Sequence, residues 1–308
     1  IRRPPRSTLD RSSAASDVYK RQIMSRPAAG RTGSPATKLL SNQFRTDAPK
    51  PSLPEPAMGP HAGIHRNLEP LYTIPNPRLV KHLVRGLPLR TSALRTLGAF
   101  ANIVAIESLI DQLADAAVVP PIEFRLRHLN DHRARHVLQS LSEQMVADGA
   151  GSGDARSSGV AFARYKNAAA YCAVGMELEV SEQANVRLIR AWIVADAGEV
   201  VDPAGLSTQL EGGLIQAASW SLYEEVTYDA DGVTSRNWDT YPIIQFNNVP
   251  QVRTLLIDRP GEPCLGAGEA VGGPTGGAIA NAIRRSTGLC MSRMPFNQSN
   301  IRTAAISQ

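Results

Sequence analysis

Cysteine is scarce in this sequence, and its spacing excludes the usual cysteine-based metal sites. The 308 residues contain three cysteines (Cys172, Cys264 and Cys290), far apart and without a CxxC pair. Three such residues cannot ligate an iron–sulfur cluster by themselves, and they do not form a zinc pattern. We therefore predict scattered buried thiols, and expect any iron–sulfur cluster to lie on another chain.

Histidine is also rare, with six residues that all lie in the first half of the sequence. His128, His132 and His136 recur every four residues, a spacing that can place metal ligands on one helical face. Arginines at 125, 127, 133 and 135 surround them and would oppose a cation. A solvated helical face is the favoured interpretation.

Long apolar runs are missing, so the sequence predicts no transmembrane helix. The net charge of +5 is no evidence for nucleic-acid binding, because residues 1–22 hold six basic and two acidic side chains and supply most of it. Asp17–Gln22 resembles the translated transposase adapter used in DNA library preparation. We therefore expect residues 1–22 to be an artefact, and the natural N-terminus to be missing.

Hydrophobic periodicity predicts an α+β fold in which helices and strands interleave without a strict βαβ repeat. We divide the chain into an adapter-like artefact (1–22), an irregular extended segment (23–60), a strand-plus-helical part (61–146), a flexible loop (147–158) and a C-terminal domain part (159–308). Predicted helices span 92–117, begin at Pro120-Pro121, follow a cap at Asn130 or Asp131, and span 203–223 and 276–287. Predicted strands are one or two in 67–84, then 171–180, 186–196, strands either side of a turn at 229–232, 252–258 and 292–296.

A glycine-rich stretch near the C-terminus carries one acidic residue, Glu269, between Gly266 and Thr275. Glycines let backbone or a cofactor approach closely, and the helix start that follows offers unpaired N–H groups. From this stretch alone Glu269 is either a solvated carboxylate near a helix dipole or a functional one.

Four stretches in order carry a family resemblance. Leu94–Phe100 precedes a helix that contains Glu107, Arg164–Asn167 leads into a hairpin, Gln209–Gln216 lies in the long helix, and Gly266–Glu269 comes last. Together they resemble the large, molybdenum-binding subunit of the xanthine oxidase/aldehyde oxidase family. The bacterial isoquinoline oxidoreductase and nicotinate dehydrogenase types are the most similar, over essentially all of 59–303.

The resemblance implies a molybdenum hydroxylase that oxidises an aldehyde or N-heteroaromatic carbon with water-derived oxygen. Its molybdenum is held by a molybdopterin, here expected in a dinucleotide form such as cytosine dinucleotide, and by no protein cysteine. By motif match Glu269 is the general base that deprotonates Mo–OH for attack, with hydride passing to Mo=S. Such a base is expected in a dry pocket where its pKa can rise.

Arg95 matches the family arginine that stabilises negative charge on the substrate, with Arg90 as the competitor if the register is shifted. Gln209 matches a pterin-binding glutamine, and Gly212 and Gly213 would let its helix approach the cofactor. The remaining candidates for cofactor contact are Gly266, Gly268, Gly272, Gly273, Thr275, Gly276 and Gly277, with close helix packing as an equal alternative. Glu107 and Glu211 lie inside predicted helices and are expected to make structural hydrogen bonds.

The family's large subunit is more than twice this length, so we expect a fragment that alone neither binds cofactor nor turns over. A small two-cluster iron–sulfur subunit is the implied partner, with a cytochrome or flavin subunit as a further one. The class-distinct alternative is a non-catalytic ligand-binding or assembly module of a larger oxidoreductase. Substrate identity and the choice between cytoplasm and periplasm are not predicted.

Overall fold

The structure is a computed structural model, and it describes residues 44, 46–47, 59, 61–81, 94–152 and 155–307. Six helices and six strands lie in these ranges: α1 (Ala99–Ala116), α2 (Pro121–Arg127), α3 (His132–Ala147), β1 (Arg156–Arg164), β2 (Tyr171–Val180), β3 (Val186–Asp196), α4 (Pro203–Leu222), β4 (Tyr228–Asp229), β5 (Gly232–Val233), β6 (Gln251–Ile257), α5 (Gly272–Thr287) and α6 (Gln298–Ser307). The α+β prediction is confirmed. No helix of the described residues is long and apolar enough to cross a bilayer.

A four-stranded sheet in the order β1-β2-β3-β6 forms the centre of the fold. The first three strands are antiparallel, and β6 pairs in parallel with β3 after the α4 crossover. Alternate residues of each strand face opposite sides. Ala161 of β1 and Ile193 of β3 therefore join the core beneath α1, α4 and α5, whereas Phe162 and Trp192 join the core beneath α3.

Helix α5 is buried along twelve consecutive residues, from Gly272 to Ile283. It lies directly on β1: a Cβ at Gly159 would stand 2.3 Å from the Ala278 carbonyl oxygen and from the Ala282 nitrogen. On its other side, a Cβ at Gly273 would stand 2.5 Å from Ile103 of α1. Helix α5 is thus wedged between the sheet and α1, which fixes the position of its N-terminal end.

Helix caps follow the sequence closely. Asp202 accepts a hydrogen bond from the Gly205 N–H at the start of α4, and Asp131 accepts from the Arg133 and Ala134 N–H groups at the start of α3. Such side-chain acceptors satisfy the unpaired donors of a first turn. The predicted starts of α3 and α4 are therefore confirmed.

Several sequence predictions were wrong. Strand β1 was missed, because both of its faces are buried and its polarity does not alternate. Residues 67–81 contain no strand, and residues 82–84 lie outside the described ranges. The predicted strand at 292–296 is irregular, with Phe296 buried and its N–H donating to the Ser221 carbonyl oxygen, and α6 follows it unpredicted.

Two helix starts also differ from prediction. Helix α1 begins at Ala99 because Thr96 (φ 75°) and Leu97 (φ 52°) are left-handed and cannot continue a right-handed helix. Helix α5 begins at Gly272, four residues before the predicted start. Of the three cysteines, only Cys172 is buried; Cys264 is exposed and Cys290 is half-buried, so the prediction of scattered buried thiols holds for Cys172 alone.

Candidate active site

Glu269 lies three residues before α5, and its carboxylate gathers three segments that are distant in sequence. Its Oε1 accepts a hydrogen bond from the Thr96 N–H at 2.5 Å, and its Oε2 accepts from the Tyr165 hydroxyl at 2.6 Å. The Arg66 Nη1 lies 3.9 Å from Oε2. The solvated-carboxylate interpretation does not describe such a residue, since both oxygens are held by the protein.

Strained backbone surrounds this carboxylate. Thr96 and Leu97 are left-handed on one side, and Lys166 (φ 56°) and Asn167 (φ 49°) are left-handed next to Tyr165. Non-glycine residues in this region cost of order 1–3 kcal/mol each and cluster at functional sites. Because Thr96 is left-handed, the chain does not form a further helical turn here. The Thr96 N–H donates to Glu269 instead.

The pKa of Glu269 is lowered, contrary to the expectation of a raised one. Burial alone would raise this pKa, but the hydrogen bonds from Tyr165 and the Thr96 N–H act against it and, with the nearby cations, outweigh it. The positive charges of Arg66 and Lys166 lower the pKa of Glu269 further. The side chain is also 30% exposed, so the described residues do not form the dry pocket that a base of raised pKa requires.

Arg95 holds the loop before Glu269 in place through hydrogen bonds. Its Nε donates to the Gly268 carbonyl oxygen at 3.0 Å, its Nη2 donates to the same oxygen, and its Nη1 donates to Gln216 Oε1 at 2.8 Å. A plain surface arginine would not use all three nitrogens in this way. Arg90, the competing candidate, lies outside the described residues.

The outward face of α4 carries Gln209, Gly212 and Gln216, all exposed, next to the exposed loop residues Gly266 and Gly268. Gln209 Nε2 donates to the Gly268 carbonyl oxygen at 3.2 Å. A Cβ at Gly212, Gly266 or Gly268 would meet no atom within 4 Å. These three glycines leave open space on the surface that includes Gly268, the residue before Glu269, and we call this surface the open face.

The other candidate glycines are explained by packing. A Cβ at Gly213 would stand 2.6 Å from Val271 Cγ1 and 3.1 Å from Arg95 Nη2, and one at Gly272 would stand 2.9 Å from Thr96 Cγ2. Thr275 is fully buried, and its hydroxyl donates to the Val271 carbonyl oxygen. Packing thus accounts for Gly213, Gly272 and Thr275 without a ligand.

Glu107 and Glu211 both make structural hydrogen bonds, as predicted. Glu107 is fully buried in α1 and accepts from Arg125 Nε at 2.9 Å and from the Tyr72 hydroxyl at 2.7 Å. Glu211 accepts from the Thr254 hydroxyl at 3.0 Å. Glu269 remains the candidate base of the three, in the loop that borders the open face.

The histidine trio does not gather a metal-binding group. His128 Nδ1 lies 2.8 Å from the Phe124 carbonyl oxygen, and His136 Nδ1 lies 3.3 Å from Arg259. Within the described ranges no three His, Cys, Asp or Glu side chains are arranged to hold a metal ion.

Sequence reasoning missed the residues that hold the carboxylate. Tyr165 and Thr96 lay within the family-like stretches but received no role, and Arg66 gave no signal. The left-handed conformation of Thr96 and the 104-residue separation of Tyr165 from Glu269 are tertiary properties that no local pattern shows.

Comparison with known proteins defines the class. The profile of the molybdopterin cofactor-binding domain family matches residues 91–250. The chain is 35% identical over 231 residues to a nicotinate dehydrogenase subunit of Pseudomonas putida, covering 70% of this chain and 20% of that protein. It is 31% identical over 207 residues to the beta subunit of isoquinoline 1-oxidoreductase of Brevundimonas diminuta, covering 66% of this chain and 26% of that protein.

Solved structures share the fold at low sequence identity. Quinoline 2-oxidoreductase from Pseudomonas putida 86 superposes with a TM-score of 0.66 at 12% identity, covering 79% of this chain and 56% of that one. Aldehyde oxidoreductase from Desulfovibrio gigas gives a TM-score of 0.60 at 14% identity, covering 70% of this chain and 42% of that one.

The fold and the sequence together define a molybdopterin-binding class of protein. The chain belongs to the molybdopterin cofactor-binding domain family, in the xanthine oxidase and aldehyde oxidase group, which confirms the resemblance seen in the sequence. It spans 20% and 26% of the lengths of the two curated relatives, a coverage that fits the expectation of a fragment.

Proposed function

We propose that this chain is part of a molybdenum hydroxylase subunit that oxidises an aldehyde or an N-heteroaromatic carbon, with Glu269 as the general base. The observation that carries this proposal is the Glu269 carboxylate, which three segments hold and which lies in the loop that borders the open face.

The open face fits one edge of a molybdopterin. Gly212, Gly266 and Gly268 leave room for close approach, and the amide groups of Gln209 and Gln216 lie on the same face. An amide both donates and accepts, as a pterin edge requires. When bound, the molybdenum centre supplies the water-derived oxygen and accepts the two electrons of the substrate carbon.

The residues of this chain would supply proton transfer and orientation. Glu269 would accept the proton at a carboxylate oxygen, while the Thr96 N–H and the Tyr165 hydroxyl hold its direction. Arg95 fixes the Gly268 carbonyl and hence the peptide that precedes the base. Its hydrogen bonds to Gly268 and Gln216 use three of its five N–H donors, so we propose orientation as its first role and stabilisation of substrate charge through the two remaining N–H groups as its second.

The lowered pKa of Glu269 sets a condition on this proposal. A base with a low pKa is a weak proton acceptor, and bound cofactor and the neighbouring chain would have to exclude water to raise the pKa of Glu269.

We propose a dinucleotide form of the cofactor and a separate iron–sulfur subunit as the electron acceptor. A cytochrome or flavin subunit is a further proposed partner.

The test is Glu269→Gln in the full-length subunit, purified with its partner subunits. The amide of the substituted side chain would keep an acceptor toward the Thr96 N–H, so cofactor content should not change. Turnover with an aldehyde or N-heteroaromatic substrate should fall by about 10²–10⁴-fold. The matched control is Glu211→Gln, another glutamate of the same chain, which should leave turnover intact.

The non-catalytic alternative is favoured by one observation, namely that both oxygens of Glu269 are already engaged. In that case Glu269 is a latch between segments of a ligand-binding or assembly module. Full turnover of Glu269→Gln at normal molybdenum content would support the alternative and refute the base.

A further inference from the structure

Tyr165 connects Glu269 to a cation that the carboxylate does not contact closely itself. Its hydroxyl donates to Glu269 Oε2 at 2.6 Å and accepts from Arg66 Nη1 at 2.7 Å. A guanidinium has donors and no acceptor, so Arg66 fixes the direction of the chain of hydrogen bonds. The tyrosine proton must then point at the carboxylate.

Asn67, the residue after Arg66, joins this segment to the segment that contains Tyr165 and so holds the arrangement in place. Asn67 Nδ2 donates to the Arg164 carbonyl oxygen at 2.7 Å, and Asn67 Oδ1 accepts from the Lys166 N–H at 2.8 Å. Tyr165 itself is 3% exposed. Arg66 and Tyr165 therefore cannot separate without breaking the hydrogen bonds of Asn67.

The charged groups that face Glu269 come from three segments. Arg66 approaches from one side, and Lys166 lies beside Tyr165 with its Nζ 5.2 Å from the ring centroid. Arg95 contacts the neighbouring Gly268 carbonyl oxygen. All three are cations and act on the carboxylate through their charge. Tyr165 is the titratable neighbour that contacts the carboxylate directly, through a hydrogen bond.

We propose that Tyr165 is a positioning residue for Glu269, which fixes the orientation of the carboxylate and, with Arg66 behind it, favours its ionised form. The inference rests on the proposed function of Glu269 as a base. An O–H bond to a carboxylate strengthens on ionisation and weakens on protonation. Burial and the Glu269 carboxylate raise the pKa of Tyr165, so its proton is retained across the working range.

The test is Tyr165→Phe in the complete enzyme, which removes one oxygen and leaves the ring in place. Loss of a hydrogen bond to a charged group should raise the pKa of Glu269, shifting the acid limb of kcat/KM upward by about one to two pH units. A second readout, isotope-edited infrared titration of the cofactor-free protein, should show the same shift in the protonated-carboxyl band, assigned with Glu269→Gln.

Tyr171→Phe is the matched control, because the Tyr171 hydroxyl donates at 2.8 Å to a different carboxylate, Asp131. It should leave the acid limb and the Glu269 band in place. If Tyr165→Phe does not fold, Arg66→Gln gives a second variant, for which a smaller shift in the same direction is expected.

The outcomes separate the two proposals. An unchanged acid limb and an unchanged infrared band in Tyr165→Phe would overturn the positioning role, even if Glu269→Gln is inactive. Turnover retained in Glu269→Gln would overturn the proposed base, and the infrared shift would still report whether Tyr165 acts on the carboxylate.

Discussion

Adjacent glycines in α4 make opposite predictions for the same substitution. In Gly212→Ala the new methyl meets no atom within 4 Å, so the change acts only on helix propensity. Alanine is favoured over glycine in a helix interior by about 1 kcal/mol. The free energy of unfolding of the cofactor-free chain should therefore rise by about that amount.

In Gly213→Ala the same gain is opposed by a clash, because the new Cβ would stand 2.6 Å from Val271 Cγ1. Overpacking of this kind costs about 1–3 kcal/mol. The free energy of unfolding should therefore be unchanged or fall by up to about 2 kcal/mol. Val271 and Arg95 would both be displaced, and both adjoin the loop that carries Glu269.

The assay is urea unfolding of the two variants side by side, followed by the fluorescence of the three tryptophans, of which Trp220 lies on the same helix. Equal changes in unfolding free energy for the two variants would refute the packing argument.

In the full-length subunit, Gly212→Ala should lower molybdenum content if the cofactor lies over the open face. Normal content would remove Gly212 from the proposed cofactor site.

Two further predictions concern stability and completeness. Burial alone would raise the pKa of Asp196, but hydrogen bonds from Arg133, Arg259 and the Gly198 N–H, together with the charge of Arg133, outweigh it and lower that pKa. Its stabilisation is therefore present at neutral pH and lost as pH falls through the folded-state pKa. Asp196→Asn should destabilise by about 3–5 kcal/mol at pH 7 and flatten the acid side of a pH–stability curve; an unchanged curve would contradict this. The second prediction is that this chain alone binds no stoichiometric molybdenum, and metal analysis showing one molybdenum per chain would contradict it.

Local patterns predicted much of the fold. The hairpin of β2 and β3 has the predicted bounds, because the polar turn at 181–185 interrupts two strongly apolar runs. Helix α4 starts at its predicted cap. Strand β1 escaped because its burial depends on α5 lying above it, which is a tertiary fact. The start of α1 escaped because Thr96 turns toward Glu269 instead of continuing the helix.

The site was predicted in part. A glycine-rich turn pointed to Glu269, and family order pointed to Arg95 and Gln209, all three of which the structure gathers around the Gly268–Glu269 peptide. The lowered pKa of Glu269 was not predictable from the sequence of its own loop. It depends on the Tyr165 hydroxyl, which other segments hold in place.

The wedged position of α5 has a consequence for how this site can change. Twelve consecutive buried residues leave the helix no free side on which to shift, so the backbone of Glu269 is anchored to the centre of the molecule. Motion of the carboxylate should then come mainly from its own side-chain torsions and from the exposed loop residues before it. The room for a bound group should accordingly change through substitutions on the open face, where a Cβ at Gly212, Gly266 or Gly268 would meet no atom within 4 Å, and not along α5.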